Sequence, residues 1–259
     1  MSRQVAVLSQ KGGVGKTTVT LGLASAAWAS GVKTLVIDMD AQANATWALG
    51  VNPSTKNLGS GDAIKANRDG AASSMIVESG WGDNVWILPA SGDLTERDSD
   101  VKNAGTYKRL KRALKGVAED FELVLIDCSP SLGYNTTNAL TAADRALLVV
   151  EPTIFGFQGI RPVLDLIDMV WNKENRNLDL AGVILNRVPA VSNDAEERAK
   201  DIKKLVGAKK LWKPDVPMRV LVNRVHHERS PLHSFGAEAN QLKDVFNKHL
   251  KKLRSELSS

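Results

Sequence analysis

Short, mostly apolar runs recur along the chain, at residues 5–8, 34–37, 85–88, 123–126, 146–150 and 181–185. A briefer run at 220–222 is an expected seventh. An unbroken apolar run reads as a strand buried on both faces, because a half-exposed strand would alternate. Between the runs, apolar positions return at helical spacing over residues 17–29, 107–118, 136–142, 159–171 and 195–206. Strand and helix alternate, which predicts an α/β, three-layer fold: a mostly parallel sheet with helices on both faces. Residues 51–79 are rich in Gly, Ser, Asn and Ala and read as irregular or weakly helical. No repeat and no linker divides the chain, so residues 1–259 are expected to form a single domain.

Parallel sheets of this kind bind ligands at the C-terminal ends of their strands. At that end of the first run stand Lys11, Gly12, Gly13, Val14, Gly15, Lys16, Thr17 and Thr18, and a helical stretch follows. Strand, glycine loop and helix form the context of a phosphate-binding loop. Glycines let the backbone curl so that successive N–H groups point inward at phosphate oxygens. The helix N-terminus adds its partial positive charge. Lys16 is placed to neutralise the β- and γ-phosphates, and the Thr17 hydroxyl to ligate Mg²⁺. The general motif begins with a glycine where this chain has Gln10, and a second lysine, Lys11, opens the loop instead. Lys11 is either a solvated loop cation or a group that reaches the nucleotide of a partner subunit.

These residues resemble the deviant Walker A box of the ParA/MinD ATPases. The resemblance extends to residues 36–44, Val-Ile-Asp-Met-Asp-Ala-Gln-Ala-Asn, which are similar to the family's second box. Residues 123–133, Leu-Val-Leu-Ile-Asp-Cys-Ser-Pro-Ser-Leu-Gly, are similar to its Walker B strand and switch segment. The boxes fall in the family's order across residues 1–150, and weaker similarity continues beyond. Ala41 and Ser129 replace common prolines, and neither change removes a charged group. The resemblance implies a P-loop NTPase domain that binds ATP and Mg²⁺ and hydrolyses ATP slowly. It also implies a homodimer formed on ATP binding, with each Lys11 reaching the other subunit's phosphates. Such relatives bind nonspecific DNA and segregate plasmids or chromosomes with a centromere-binding, ParB-like partner. The alternatives are a MinD-like membrane-associated ATPase and a positioning ATPase for another cargo.

Three acids sit at strand ends. Asp127 closes the run 123–126, where a carboxylate can hold the Mg²⁺ shell through water. Asp38 and Asp40 follow the run 34–37 and, two residues apart in extended backbone, share a face. The resemblance implies that Asp40 positions or activates the attacking water and that Asp38 supports Mg²⁺. Either acid reads equally as a strand-terminal turn residue. Residues 129–133 are expected to sense the γ-phosphate. Asn186 and Arg187 close the run 181–185, where relatives hold adenine, although Asn-Arg is also ordinary turn chemistry. The family's adenine-side proline is not found near Val222.

Charge then points to a partner. The net charge is +5, and lysines and arginines cluster at 108–115, 200–213 and 243–254. One cluster alone is a solvated helix face, whereas several together bind phosphate backbones without reading sequence. Lys200, Lys203, Lys204, Arg219, Arg224, Lys248, Lys251 and Lys252 are the expected DNA contacts. Leu242, Val245, Phe246, Leu250, Leu253 and Leu257 fall at helical spacing opposite lysines. That stripe fits either a terminal helix packed on its own domain or an amphipathic membrane anchor, and packing is the expected outcome. The single cysteine, Cys128, excludes an intramolecular disulfide and a nitrogenase-reductase-like cluster. With only Tyr107 and Tyr134, the chain lacks the tyrosine-rich tail of a tyrosine-kinase relative. The first strand begins almost at once, leaving no expected room for a signal peptide or a leading helix-turn-helix. A cytoplasmic, nucleoid-associated protein is the expectation.

Overall fold

A computed structural model describes residues 4–52, 58–82, 84–91, 94–95, 106–219 and 221–258. Six parallel strands are β1 (Gln4–Leu8), β2 (Thr34–Met39), β4 (Val85–Leu88), β5 (Leu123–Cys128), β6 (Arg145–Val150) and β7 (Asp179–Leu185). β3 (Val77–Glu78) adds an antiparallel edge, and the sheet order is β3-β4-β2-β5-β1-β6-β7. Each apolar run from 5–8 to 181–185 lies inside a parallel strand. Along β1, Val5 and Val7 enter one core and Ala6 and Leu8 the other, as the two-residue repeat of a strand requires.

Helices cover both faces. The helices α1 (Lys16–Ala29), α2 (Asn44–Ala48), α9 (Leu221–Glu228) and α10 (Asn240–Ser258) supply the core that holds Val5 and Val7. The opposite core is built by α3 (Ser60–Ala66), α4 (Arg109–Leu114), α5 (Tyr134–Ala142), α7 (Ile160–Lys173) and α8 (Asn193–Val206). A short helix, α6 (Ile154–Gln158), links β6 to α7. Ser192 caps α8, its Oγ accepting from Ala195 N at 3.1 Å, and Gly207 with φ +85° ends it. The α3 helix, a 3-10 turn at Ala71–Ser74 and β3 give residues 51–79 more order than their composition predicts.

Three expected elements are corrected. Residues 221–222 belong to α9, so the seventh strand is β3 and not 220–222; Val220 itself lies outside the described residues. The expected helix 107–118 is only α4, flanked by 3-10 turns, because Gly116 at φ +74° turns the chain. Lys115 therefore stands at the end of α4 and Lys108 at its start, not inside one long basic helix. The expected start of α7 at Gly159 is the junction at which α6 gives way to it.

The amphipathic stripe of α10 packs inward. Leu242, Val245, Phe246, Leu250 and Leu253 are all buried. The Phe246 ring fills the space beside Gly22 of α1, where an added Cβ would lie 2.3 Å from it. Among the described residues, no helix is long and apolar enough to cross a membrane.

Candidate functional site

β1 delivers the chain to the middle of the sheet, and residues 9–15 turn there before α1 begins at Lys16. Gly13 and Gly15 have φ +78° and +90°, which only glycine adopts freely. A Cβ on Gly15 would also lie 2.1 Å from Asn186 Nδ2. Asn186 is buried, and its Nδ2 donates to the Val14 carbonyl at 2.6 Å. This contact clamps the loop to the end of β7. The first turn of α1 has neither a side-chain cap nor an acid, so its N–H groups are left to an anion. A Cβ at Gly12 or Gly13 would meet nothing within 4 Å, so the loop has open space beside it.

Lys16 is 6% exposed, and its Nζ donates to the Lys11 carbonyl at 3.4 Å. Burial lowers its pKa, against the opposing pull of Asp127 and Asp40. Thr17 Oγ1 donates to Asp127 Oδ2 at 2.7 Å, and Thr20 Oγ1 to Asp127 Oδ1 at 3.1 Å. Asp38 and Asp127 are direct neighbours across β2 and β5. Desolvation raises both carboxyls above their ordinary range, and the neighbouring Asp38 charge adds to the shift at Asp127. Two buried carboxyls on adjacent strands disfavour each other's charged form, and a cation beside them would favour both.

Asp38 anchors backbone in a way that its spacing did not disclose. Its Oδ2 accepts from Thr46 N at 2.8 Å and Thr46 Oγ1 at 2.7 Å, and its Oδ1 accepts from Asp40 N at 3.1 Å. These bonds seat α2 on the end of β2. Asp40 is half-buried, and its Oδ1 accepts from Gln42 N at 3.0 Å.

Lys11 faces its own chain. Its Nζ lies 3.2 Å from Glu151 Oε2, while Arg187 Nη1 donates to Glu151 Oε1 at 3.2 Å and to the Gly13 carbonyl at 2.9 Å. Arg187 has φ +56°. Val14 is wholly buried under the loop, and Thr18 faces a cleft of about 170 Å³ with Gly13, Gly15, Asn186 and Arg187. Pro217 lines that cleft with Met218 and Val222, so a proline does stand on this side, five residues before Val222.

The expected DNA contacts divide. Lys248 and Lys251 are exposed on α10, and Lys252 pairs with Glu256 at 2.8 Å. Arg224 is held by Glu228 at 2.7 Å and Glu238 at 2.8 Å, and Arg219 bonds to Gln241. Lys204 lies 3.9 Å from Asp201, while Lys200 and Lys203 rim a cleft beside α8. The residues that sequence reasoning missed are Thr20, Thr46, Glu151 and Pro217. Glu151 carries the same signal as Asp127, an acid just after an apolar run, although Asp127 lies within β5 and Glu151 follows β6.

A family model described as an AAA domain matches residues 2–180. The sporulation initiation inhibitor protein Soj of Bacillus subtilis is 30% identical over 233 residues, covering 90% of each chain. The chromosome partitioning protein ParA of Caulobacter vibrioides is 30% identical over 224 residues, covering 85% of this chain and 82% of its own. The crystal structure of cobyrinic acid a,c-diamide synthase from Mycobacterium smegmatis with bound ATP analog and magnesium has a TM-score of 0.77 at 27% identity, covering 88% of this chain and 93% of that one. With its three boxes gathered around one glycine loop, and with these matches, the chain belongs to the ParA/MinD family of P-loop ATPases.

Proposed function

We propose that this chain is a Mg²⁺-dependent partition ATPase, a single domain that dimerises on ATP and acts on the nucleoid in the cytoplasm. The observation that carries the reading is the 2.7 Å bond between Thr17 and Asp127 with Lys16 buried beside it. A hydroxyl and a carboxylate are the hard oxygen donors that suit Mg²⁺. The uncapped first turn of α1 and the space beside Gly12 and Gly13 suit a polyphosphate. The magnesium- and ATP-analog-bound relative of similar fold supports the same ligands here.

In this reading Thr17 and Asp127 hold the cation, with Asp38 supporting the metal's water shell from the neighbouring strand. Bound Mg²⁺ neutralises charge on the phosphate oxygens. Lys16 orients the β- and γ-phosphates, and loop residues 12–18 bind them through backbone N–H groups. Asp40 orients the attacking water and accepts its proton. Arg187 and Asn186 hold the wall of the cleft where the base lies. Lys11 leaves Glu151 to meet the phosphates of a second copy, which makes hydrolysis depend on dimerisation. The dimer binds DNA nonspecifically through Lys248, Lys251 and Lys252, with Arg219, Arg224 and Lys204 at its margins. Doubling a modest basic surface converts a weak contact into an avid one. A centromere-binding, ParB-like partner stimulates hydrolysis and releases the dimer. The relative named a chromosome partitioning protein supports this assignment of cargo.

The test measures phosphate release, dimerisation and DNA retention at low salt, each with and without ATP. Wild type should show all three, and Lys16→Ala none. Lys11→Ala should bind nucleotide yet lose hydrolysis, and Asp40→Ala should accumulate as an ATP dimer. A wild-type protein that releases no phosphate with ATP, Mg²⁺ and DNA present would sink the proposal.

A further inference from the structure

A cleft lies between α8 and the segments 188–192 and 211–215, with a volume of about 380 Å³. That size is within the roughly 300–1,000 Å³ of clefts that hold ligands. Its floor is apolar, formed by Leu185, Val188, Ala199 and Leu211. Its rim is basic: Lys200 and Lys203 are exposed, and neither has an ion pair among the described residues. From residue 200 to residue 213 the chain carries six lysines and one acid, Asp201. Of the two acids lining the cleft, Asp215 is neutralised by Lys213 at 2.6 Å, and Glu196 lies nearer the start of α8.

The cleft stands back to back with the candidate nucleotide pocket. At the end of β7, Leu185 and Val188 line the cleft while Asn186 and Arg187 line the pocket. In the facing segment, Lys213 and Asp215 line the cleft while Pro217 and Met218 line the pocket. The two walls are laced together: Val188 N donates to the Val216 carbonyl and Met218 N to the Val188 carbonyl, each at 3.1 Å. The cleft and the pocket therefore share these two segments as a common wall.

We infer that this cleft docks an acidic, amphipathic segment of a partner protein, and that nucleotide in the adjoining pocket changes the segment's affinity. Aliphatic side chains of the segment enter the apolar floor, and its carboxylates meet Lys200 and Lys203. A bare phosphate backbone matches the rim but gains nothing from the floor, which favours peptide over DNA. The docking stands without the nucleotide reading; the coupling rests on it.

The test selects a random peptide library, displayed on phage, against the full-length protein with and without a non-hydrolysable ATP analogue. Two variants block the cleft differently. Ala199→Trp fills the floor, and Lys200→Glu with Lys203→Glu reverses the rim at exposed positions that do not carry the core. Recovered peptides should combine Asp or Glu with Leu, Ile or Phe, and each variant should weaken them at least tenfold. Peptides that are basic, or that bind both variants as well as wild type, overturn the docking. DNA retention lost equally in Ala199→Trp and in the lysine reversal also overturns it and gives the cleft to DNA. Peptide affinity should change at least threefold when the analogue is bound. Equal affinity, once a fluorescent ATP analogue has shown the pocket to be filled, overturns the coupling. If that analogue does not bind at all, the nucleotide reading fails while the peptide result is still read from the variants.

Discussion

Lys11 Nζ lies 3.2 Å from Glu151 Oε2 of the same chain, so the lysine proposed to act across a dimer is here engaged at home. The Lys11 side chain is 39% exposed, and a pair of that exposure contributes roughly 0.2–1 kcal/mol. A hold of that size restrains without trapping. Glu151→Gln keeps the shape and removes the charge. The ATP concentration for half-maximal dimerisation should fall by about two- to fivefold, read by size-exclusion chromatography with light scattering. An unchanged or raised midpoint would show that Glu151 does not compete with the second copy.

Asn186 presents a choice between two roles. Its Nδ2 is spent on the Val14 carbonyl at 2.6 Å, a bond that shapes the loop and reads no base. Asn186→Ala should weaken ATP and GTP alike, by roughly tenfold for a buried bond of about 1.4 kcal/mol. Fluorescent-nucleotide titration separates the roles, since a loss confined to ATP would mean that the side chain reads adenine.

Legibility in the sequence followed burial. The parallel strands could be read because a strand covered on both faces writes an unbroken apolar run. β3 could not, since Val77 and Glu78 are exposed and two residues carry no period. Leu221 and Val222 looked like a strand because a three-residue run cannot distinguish β from the start of an amphipathic helix. At the site, Lys16 and Thr17 were legible because one contiguous loop carries them, and Asp127, 110 positions from Thr17, because the run around it resembles a known box. Glu151 was not, because its meeting with Lys11 spans 140 positions and exists only once β6 lies beside β1. Thr46 was hidden similarly, its partner Asp38 lying across a turn whose shape the sequence does not spell.

Asp127 should oppose stability in the cation-free protein. Its carboxyl is raised by burial and by Asp38, so the folded state holds a proton that the unfolded chain has already released. Stability from this group is therefore present at low pH and lost as pH rises through the raised pKa. Asp127→Asn removes the loss, and should raise the melting temperature of the metal-free protein most at pH 8 and hardly at all near pH 4. The gain is on the order of 1–3 kcal/mol, and ATP hydrolysis should disappear with it. Equal stabilisation at both pH values would refute the electrostatic cause.

His249 behaves in the opposite sense. It is wholly buried on α10, its ring stacked 6.0 Å from that of Trp212, and neither ring nitrogen makes a well-formed hydrogen bond among the described residues. Burial pushes its pKa down to about 4, with weak compensation from the Pro214 backbone. The unfolded chain takes up its proton near pH 6.5, so stability falls as pH drops from about 7 to 4. The fall attributable to this ring is about 3 kcal/mol. His249→Phe should flatten that part of the urea-denaturation profile, and an unchanged acid slope would acquit the histidine.

Phe246 decides what α10 is for. A membrane anchor needs its apolar stripe free, but here Phe246 is buried and its ring occupies the notch at Gly22. Withdrawing the helix to reach a lipid surface would uncover Leu242, Leu250 and Leu253 together with the α1 face beneath them. Phe246→Ala should therefore behave as a core truncation, costing about 3–5 kcal/mol, because a rigid notch against α1 collapses only partly. The same substitution in a surface anchor would leave stability intact and reduce vesicle binding instead. Denaturation midpoints and ATP-dependent sedimentation with anionic vesicles, measured on wild type and variant, give opposite patterns for the two roles. A large loss of stability with wild-type protein left in the supernatant assigns α10 to the core. Full stability with lost vesicle binding would return it to the membrane.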